Sequence, residues 1–340
     1  QGQYAQSISV LEQVTPDEIS PDKYWVVLGN AYFFNQQPDK ATDVAENWMS
    51  AQPNNKAAYL RLIALYDIAN NNIEALRTAE LAQQRFSTEA QFSMLVTYFN
   101  LVTGNIKGAE RSYESLPENA RNSVAGQGLL GQILLEEGDA KSALPKLKAF
   151  YEQKASQANA DLVAKALKAL KQYSQAIGFL QAHQMKMGKS VTNYVQIAEL
   201  AIVSGNFELA VEQYRLVIND DPNNTRALNN LAYILIEQGY YQEALAYAER
   251  AVKYSPDYPP IQDTYGTALF KNGQYAAAVS VFKELYLTNK DNNEVALRYA
   301  EAMISDKKID LAKKLLTKIE TKQDLSIESK QKLLLLKGQI

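Results

Sequence analysis

The 340-residue sequence contains no cysteine and only one histidine, His183. Without cysteine the chain can form no disulfide bond and no thiolate metal site, and it cannot use a thiol as a nucleophile. A single histidine that lacks a second histidine or a cysteine also provides too few ligands for an ordinary zinc site. We therefore expect no metal and no cofactor, and we interpret His183 as a surface or packing residue.

Motifs and charge surpluses that would indicate chemistry are also missing. The sequence has no G-x-x-x-x-G-K-[ST] phosphate loop, no G-x-S-x-G and no H-E-x-x-H. The formal charge of −3 is not the basic surplus of a nucleic-acid-binding protein. No apolar run is as long as a membrane span. These absences predict a protein that is not an enzyme, binds no nucleic acid and has no membrane span in this sequence.

What the sequence does contain is a repeated helical hairpin, seen most clearly in 225–258. Its first half has apolar residues at the i, i+3, i+4 and i+7 positions of one helical face: Leu228, Leu231, Ala232 and Leu235. Gly239 then interrupts the pattern, and a second apolar stripe runs to Pro256, which stops the helix because it has no N–H to donate. A hairpin of this size cannot bury both its faces, so it needs neighbours of the same kind.

The neighbours recur at intervals of 34 residues. The same spacing separates Gly205, Gly239 and Gly273, separates Ala210, Ala244, Ala278 and Ala312, and separates Pro222 and Pro256. Glycine suits a left-handed turn between helices, and alanine allows two helices to approach closely. This spacing predicts nine hairpins: 22–55, 56–89, 90–123, 124–156, 157–190, 191–224, 225–258, 259–292 and 293–326.

The two ends of the chain fit the same pattern. Residues 1–15 are interpreted as the second helix of a truncated repeat, so we expect the natural protein to extend further on the N-terminal side. Residues 327–340 are interpreted as a C-terminal capping helix, with Ser326 as its N-cap. The ninth hairpin lacks the turn glycine and the closing proline, and the array is least regular over about 90–190.

The recurring Trp/Leu, Leu, Gly/Ala, Tyr/Leu, Ala, Ala and Pro positions over about 22–326 resemble the tetratricopeptide repeat (TPR). The resemblance implies an all-α fold, a right-handed α-solenoid superhelix of helix pairs. It also implies a concave groove, lined by the first helix of each pair, that binds a protein or peptide without catalysis. The sequence therefore predicts an interaction scaffold.

A narrower resemblance concerns 226–274, RALNNLAYILIEQGYYQEALAYAERAVKYSPDYPPIQDTYGTALFKNGQ. This run is similar to the C-terminal repeats of the TPR lipoproteins of exosortase/PEP-CTERM systems. It departs from them at 264–268, TYGTA, where a D-T-L-G-W pattern is expected. The resemblance implies a role in a bacterial envelope system for exopolysaccharide production or export or for protein sorting, and a periplasmic or envelope-associated location. A cytoplasmic location stays open.

The helical phase predicts which residues line the groove. They lie on first helices, one position away from the packing stripe: Asn30, Gln196, Glu199, Asn229, Asn230, Tyr233, Asp263, Thr264, Thr267 and Arg298. Chaperone-binding relatives clamp a C-terminal carboxylate with Lys, Asn and Arg. Val195 and Glu199 stand where that clamp would place Lys and Asn, so we do not expect a chaperone adaptor.

Two alternatives remain open from the sequence. Many of the 21 tyrosines cluster in 233–275, and an aromatic-rich groove can stack on sugars, so the groove is a candidate glycan-binding site. The phase assigns most of these tyrosines to packing positions and leaves Tyr233 on the groove side. The second alternative is a regulatory TPR arm of an enzyme whose catalytic domain lies outside this sequence.

Overall fold

The computed structural model describes residues 2–15, 21–322 and 325–340, and in these ranges every regular element is a helix. The chain divides into two compact units, 1–171 and 172–340. The first unit contains α1 Gly2–Leu11, α2 Pro21–Phe34, α3 Pro38–Ala51, α4 Lys56–Ile68, α5 Asn72–Arg85, α6 Ala90–Val102, α7 Ile106–Glu114, α8 Glu118–Arg121, α9 Val124–Glu136, α10 Ala140–Gln153 and α11 Gln157–Ala169. The second contains α12 Tyr173–Met187, α13 Val191–Val203, α14 Phe207–Asp220, α15 Thr225–Glu237, α16 Tyr241–Tyr254, α17 Pro259–Lys271, α18 Tyr275–Thr288, α19 Asn293–Ser305, α20 Ile309–Glu320 and α21 Ile327–Lys337.

Local sequence explains where many of these helices begin. Short polar side chains at the N-cap accept hydrogen bonds from backbone N–H groups of the first turn, as Asn224 does from Ala227 at 3.0 Å. The same arrangement occurs at Asn55, Asn105, Ser123, Asp139, Ser156, Ser190, Asn206, Asn292 and Ser326. The cap residues place the helix starts and leave the apolar stripes free to pack.

The turn inside each hairpin contains one residue in the left-handed region. In the described ranges these residues follow a regular spacing: Gln36, Asn70, Gly104, Gly138, Lys171, Gly205, Gly239, Gly273 and Lys307. Each interval is 34 residues except the 33 between Gly138 and Lys171. A Cβ costs energy at positive φ, so four of these turns form without the residue that suits them best.

A second set of regularly spaced residues, the alanine ladder, lies between the helices. The alanines at the helix crossings are all fully buried: Ala41, Ala75, Ala109, Ala143, Ala176, Ala210, Ala244, Ala278 and Ala312. His183 lies seven residues after one of them, as Val217 and Ala251 do in their hairpins, and it is 2% exposed. The single histidine therefore occupies a packing position. Within each unit, successive helices pack against one another, which is the architecture of an α-solenoid.

Consecutive hairpins of the first unit also share a polar contact. The Tyr66 hydroxyl donates to the Glu46 carboxylate at 2.5 Å, and 34 residues earlier the Tyr32 hydroxyl donates to Glu12. Glu46 belongs to α3, the second helix of its pair, and Glu12 directly follows α1. The contact between the α1 segment and α2 is therefore of the same kind as the contact between α3 and α4, where the second helix of one pair meets the first helix of the next pair.

The last helix of the second unit, α21, packs on α19 and α20. The Ser326 hydroxyl caps it by accepting from the Ser329 N–H at 3.1 Å, and the helix buries Leu333 and Leu336. Its outer surface is more apolar than expected of a solvating cap, because Leu334 is 69% exposed.

Candidate partner-binding surface

The predicted groove residues all lie on first helices. Asn30 is on α2 in the first unit. The others are in the second unit: Gln196 and Glu199 on α13, Asn229, Asn230 and Tyr233 on α15, Asp263, Thr264 and Thr267 on α17, and Arg298 on α19. Gln196 and Glu199 are half-buried. In the second unit α15 packs directly on α17, so their predicted residues belong to one surface.

Most charges on this surface are paired between successive first helices. Glu199 of α13 pairs with Arg226 of α15, and Asp263 of α17 pairs with Arg298 of α19. Glu301 of α19 continues the series by pairing with Lys332 of α21 at 2.6 Å. Each pair is partly exposed, so it contributes at most about 1 kcal/mol to stability. The pairs neutralise the surface and connect its helices.

Asn230 is occupied by a contact within the fold. Its Nδ2 donates to the Tyr214 hydroxyl at 2.9 Å, which joins α14 to α15. Tyr214 is fully buried, and burial raises the pKa of its phenol. The amide of Asn230 therefore satisfies a buried oxygen, and this leaves it less free for a partner than the sequence suggested.

Thr264 requires a correction. It is only 8% exposed, and its hydroxyl donates to the Pro260 carbonyl at 3.1 Å. Ile261, Thr264 and Ala268 are all buried at helical spacing, so Thr264 lies on the packing stripe. Thr267 stays half-buried, with its hydroxyl donating to the Asp263 carbonyl at 2.8 Å.

The most accessible predicted residue is Tyr233, which is 51% exposed. Asn229 precedes it by four positions and therefore lies on the same helical face. Among the described residues no donor reaches Asn229 Oδ1 or Asp263 Oδ1, although both atoms are buried. An exposed aromatic ring on a polar helix face is suited to contact with a partner.

Asn30 belongs to a separate surface on the first unit. Its Oδ1 accepts from Arg61 Nη2 at 2.8 Å, and the Arg61 guanidinium lies 5.8 Å from the centre of the Phe33 ring. Burial lowers the pKa of Arg61. Phe34 is 54% exposed nearby and stacks on Tyr4, with ring centres 5.5 Å apart.

Sequence reasoning missed the cations that pair with the predicted residues. Arg61 contacts Asn30 from 31 residues further along the chain, and Arg226 pairs with Glu199 from 27 residues further. An arginine about one repeat further along the chain was the available signal in both cases. The described ranges contain no group of three His, Cys, Asp or Glu residues placed to hold a metal, and no helix in them is long and apolar enough to span a membrane.

Sequence comparison identifies the repeat. The family profile described as tetratricopeptide repeat matches residues 133–319, more than half of the chain. Among curated proteins, a BBSome complex member from Bos taurus is 22% identical over 114 residues, which cover 34% of this chain and 22% of that protein. Cellulose synthase 1 operon protein C from Komagataeibacter xylinus is 26% identical over 160 residues, which cover 42% of this chain and 12% of that protein. The chain therefore spans only a small part of both relatives.

Solved structures share the fold at low identity. The C-terminal part of a TPR repeat-containing protein from Cytophaga hutchinsonii has a TM-score of 0.59 at 15% identity, covering 72% of this chain and 99% of that one. A tetratricopeptide repeat protein from Parabacteroides merdae has a TM-score of 0.53 at 17% identity, covering 63% and 84%. The APC/C hetero-tetramer Cut9–Hcn1 has a TM-score of 0.53 at 12% identity, covering 98% and 66%.

Proposed function

Because this chain belongs to the tetratricopeptide repeat family, we propose that it is a non-catalytic scaffold that binds a protein or peptide partner. The observation that carries the proposal is the surface along α13, α15, α17 and α19. Most of its charges are paired within the fold, and Tyr233 remains 51% exposed among half-buried amides and hydroxyls. A neutral polar surface with an aromatic anchor suits an extended polypeptide, because tyrosine is enriched among the residues that dominate binding energy.

The proposed setting is a bacterial envelope system for exopolysaccharide production or export or for protein sorting. Two similarities support it: the likeness of 226–274 to the TPR lipoproteins of exosortase/PEP-CTERM systems, and the match to a protein named for a cellulose synthase operon. A periplasmic or envelope-associated location is part of the same proposal.

Site-specific photo-crosslinking in the native organism tests this function. A benzophenone amino acid replaces Tyr233 on the candidate surface, and in a matched control it replaces Tyr254, which is 47% exposed on the second helix α16. We expect adducts with envelope proteins at position 233 and few at 254. Equal labelling at both positions would contradict the groove assignment, and adducts with cytosolic chaperones alone would contradict the envelope setting.

Glycan binding is the second candidate, because the exposed Tyr233 ring and the Asn229 amide on one face could stack on and hydrogen-bond to a sugar. Calorimetric titration with the native polysaccharide distinguishes it from the scaffold. Heat that disappears in Tyr233→Ala and persists in Tyr254→Ala would favour the glycan. No heat with either protein would leave the polypeptide as the ligand.

A further inference from the structure

A small cavity lies in the second unit, next to the candidate surface. Its volume is about 120 Å³, which is room for about four water molecules. Thr267 lines it and also belongs to the predicted groove, so the cavity opens onto that surface. The aromatic rings of Phe270 and Phe282 form its apolar part.

The apolar part of the cavity is held rigidly. Phe282 is 1% exposed, and a Cβ added to Gly266 would lie 2.8 Å from its Cε1, so the ring rests directly on the glycine. Phe270 packs against Tyr275 with ring centres 5.4 Å apart. A preformed apolar wall reduces the entropy lost when a ligand binds.

Charged side chains form the remaining lining, with cations in excess. Lys332 is paired with Glu301 at 2.6 Å. Arg298 donates one hydrogen bond from Nη1 to Asp263, and its other donors find no acceptor in the described ranges. Lys271 is exposed and forms no ion pair with any residue that the structure describes. The cavity therefore has one unpaired positive charge beside unused guanidinium donors.

We propose that this cavity binds the side-chain carboxylate of a glutamate or aspartate in the partner polypeptide, an inference that rests on the scaffold function proposed above. The methylene groups of the acidic side chain lie against Phe270 and Phe282. The carboxylate lies between Lys271 and Arg298 and accepts charge-assisted hydrogen bonds from both. An acidic residue of the partner would then set its position along the groove.

The size of the cavity favours an amino-acid side chain over an acidic sugar. A space of about four waters holds a carboxylate and its short stem. A uronate brings a whole pyranose ring with its hydroxyls, and most of that ring would stay outside a space of this size. Any hydroxyl that lay against the phenylalanine rings without a partner would cost free energy.

Selection of linear peptides from a random display library against the whole 340-residue chain tests the proposal. Each selected peptide is then measured by fluorescence anisotropy, as selected and with its acidic residues changed singly to the matching amide. Lys271→Gln removes the unpaired charge. Lys253→Gln is the matched control, because both lysines are exposed and lie in the last turn of their helices. Lys271→Glu with a peptide carrying Lys in place of Glu forms a charge swap.

We expect one acidic position in the peptides to matter, with about three- to tenfold weaker binding after its amide substitution. Lys271→Gln should produce part of that loss, because Arg298 still faces the carboxylate, and Lys253→Gln should produce none. With Lys271→Glu, the peptide that carries Lys should bind more tightly than the peptide that carries Glu. If the affinity of the selected peptides changes neither with the amide substitution nor with Lys271→Gln, this inference is overturned while the proposed scaffold function stands. A library that yields no binder would count against both proposals, and an acidic polysaccharide that binds through Lys271 when peptides do not would overturn the polypeptide ligand.

Discussion

The Asn230–Tyr214 contact leads to a prediction that separates a structural residue from a binding residue. Asn230→Ala leaves the buried Tyr214 oxygen without the donor that now lies 2.9 Å away. An unsatisfied buried polar group costs about 1–3 kcal/mol, and the better helix propensity of alanine offsets a few tenths of this. Tyr214→Phe removes the hydroxyl itself, and the half-buried Asn230 can turn to water, so its cost should stay below about 1 kcal/mol.

Urea unfolding of the full chain, followed by far-ultraviolet circular dichroism, measures these differences. With an m-value of about 2 kcal/mol/M, Asn230→Ala should lower the midpoint by about 0.4–1.4 M. The variant with both substitutions should be about as stable as Tyr214→Phe alone, because without the Tyr214 hydroxyl the loss of Asn230 leaves no buried polar atom unsatisfied. Hydrogen exchange should quicken in peptides covering α14 and α15. If Asn230→Ala is as stable as the parent, or if the two costs add fully, the hydrogen bond does not support this junction.

Three further predictions concern stability and can be measured by the same unfolding experiment. Gly266→Ala should destabilise the protein by about 1–3 kcal/mol, because the added Cβ would lie 2.8 Å from the buried Phe282 ring. Gly178→Ala is the control: nothing lies within 4 Å of its Cβ position, so it should stabilise the protein by up to about 1 kcal/mol. Equal effects of the two substitutions would contradict the packing. Lys307→Gly should stabilise the second unit by about 1 kcal/mol, since the lysine has a φ of 62°, and a loss would show that its side chain matters more than its backbone. Burial and then the Glu12 carboxylate raise the pKa of Tyr32 to about 12, so its contribution is complete below pH 10 and falls as the pH rises toward 12. Tyr32→Phe should flatten that loss, and an unchanged profile would refute the assignment.

The turns show which backbone conformations the local sequence can predict and which it cannot. The glycines at 205, 239 and 273 reveal the period because glycine is favoured at positive φ. Gln36, Asn70, Lys171 and Lys307 adopt the same conformation, although only asparagine among them commonly does so. At Gln36, Asn70 and Lys307 the packing of the helices on either side imposes the turn, so only the spacing could suggest it.

The candidate surface was predicted less completely than the helices. Phase predicted that Tyr233 and Thr264 both face the groove. Tyr233 is exposed, whereas Thr264 is buried on the packing stripe. It could not show that Asn230 supports Tyr214 or that Asp263 pairs with Arg298. The cavity was also invisible, since Lys271 and Lys332 are 61 residues apart and belong to different helices.

The sequence by itself determined the helices, their 34-residue spacing and the buried alanine ladder. These features depend on caps, turns and apolar stripes, and those act between residues within a few positions of one another. Only the tertiary structure decided which polar side chains are left for a partner. Their neighbours lie about one repeat away, and helix packing selects which of several nearby charges and amides come within hydrogen-bonding distance.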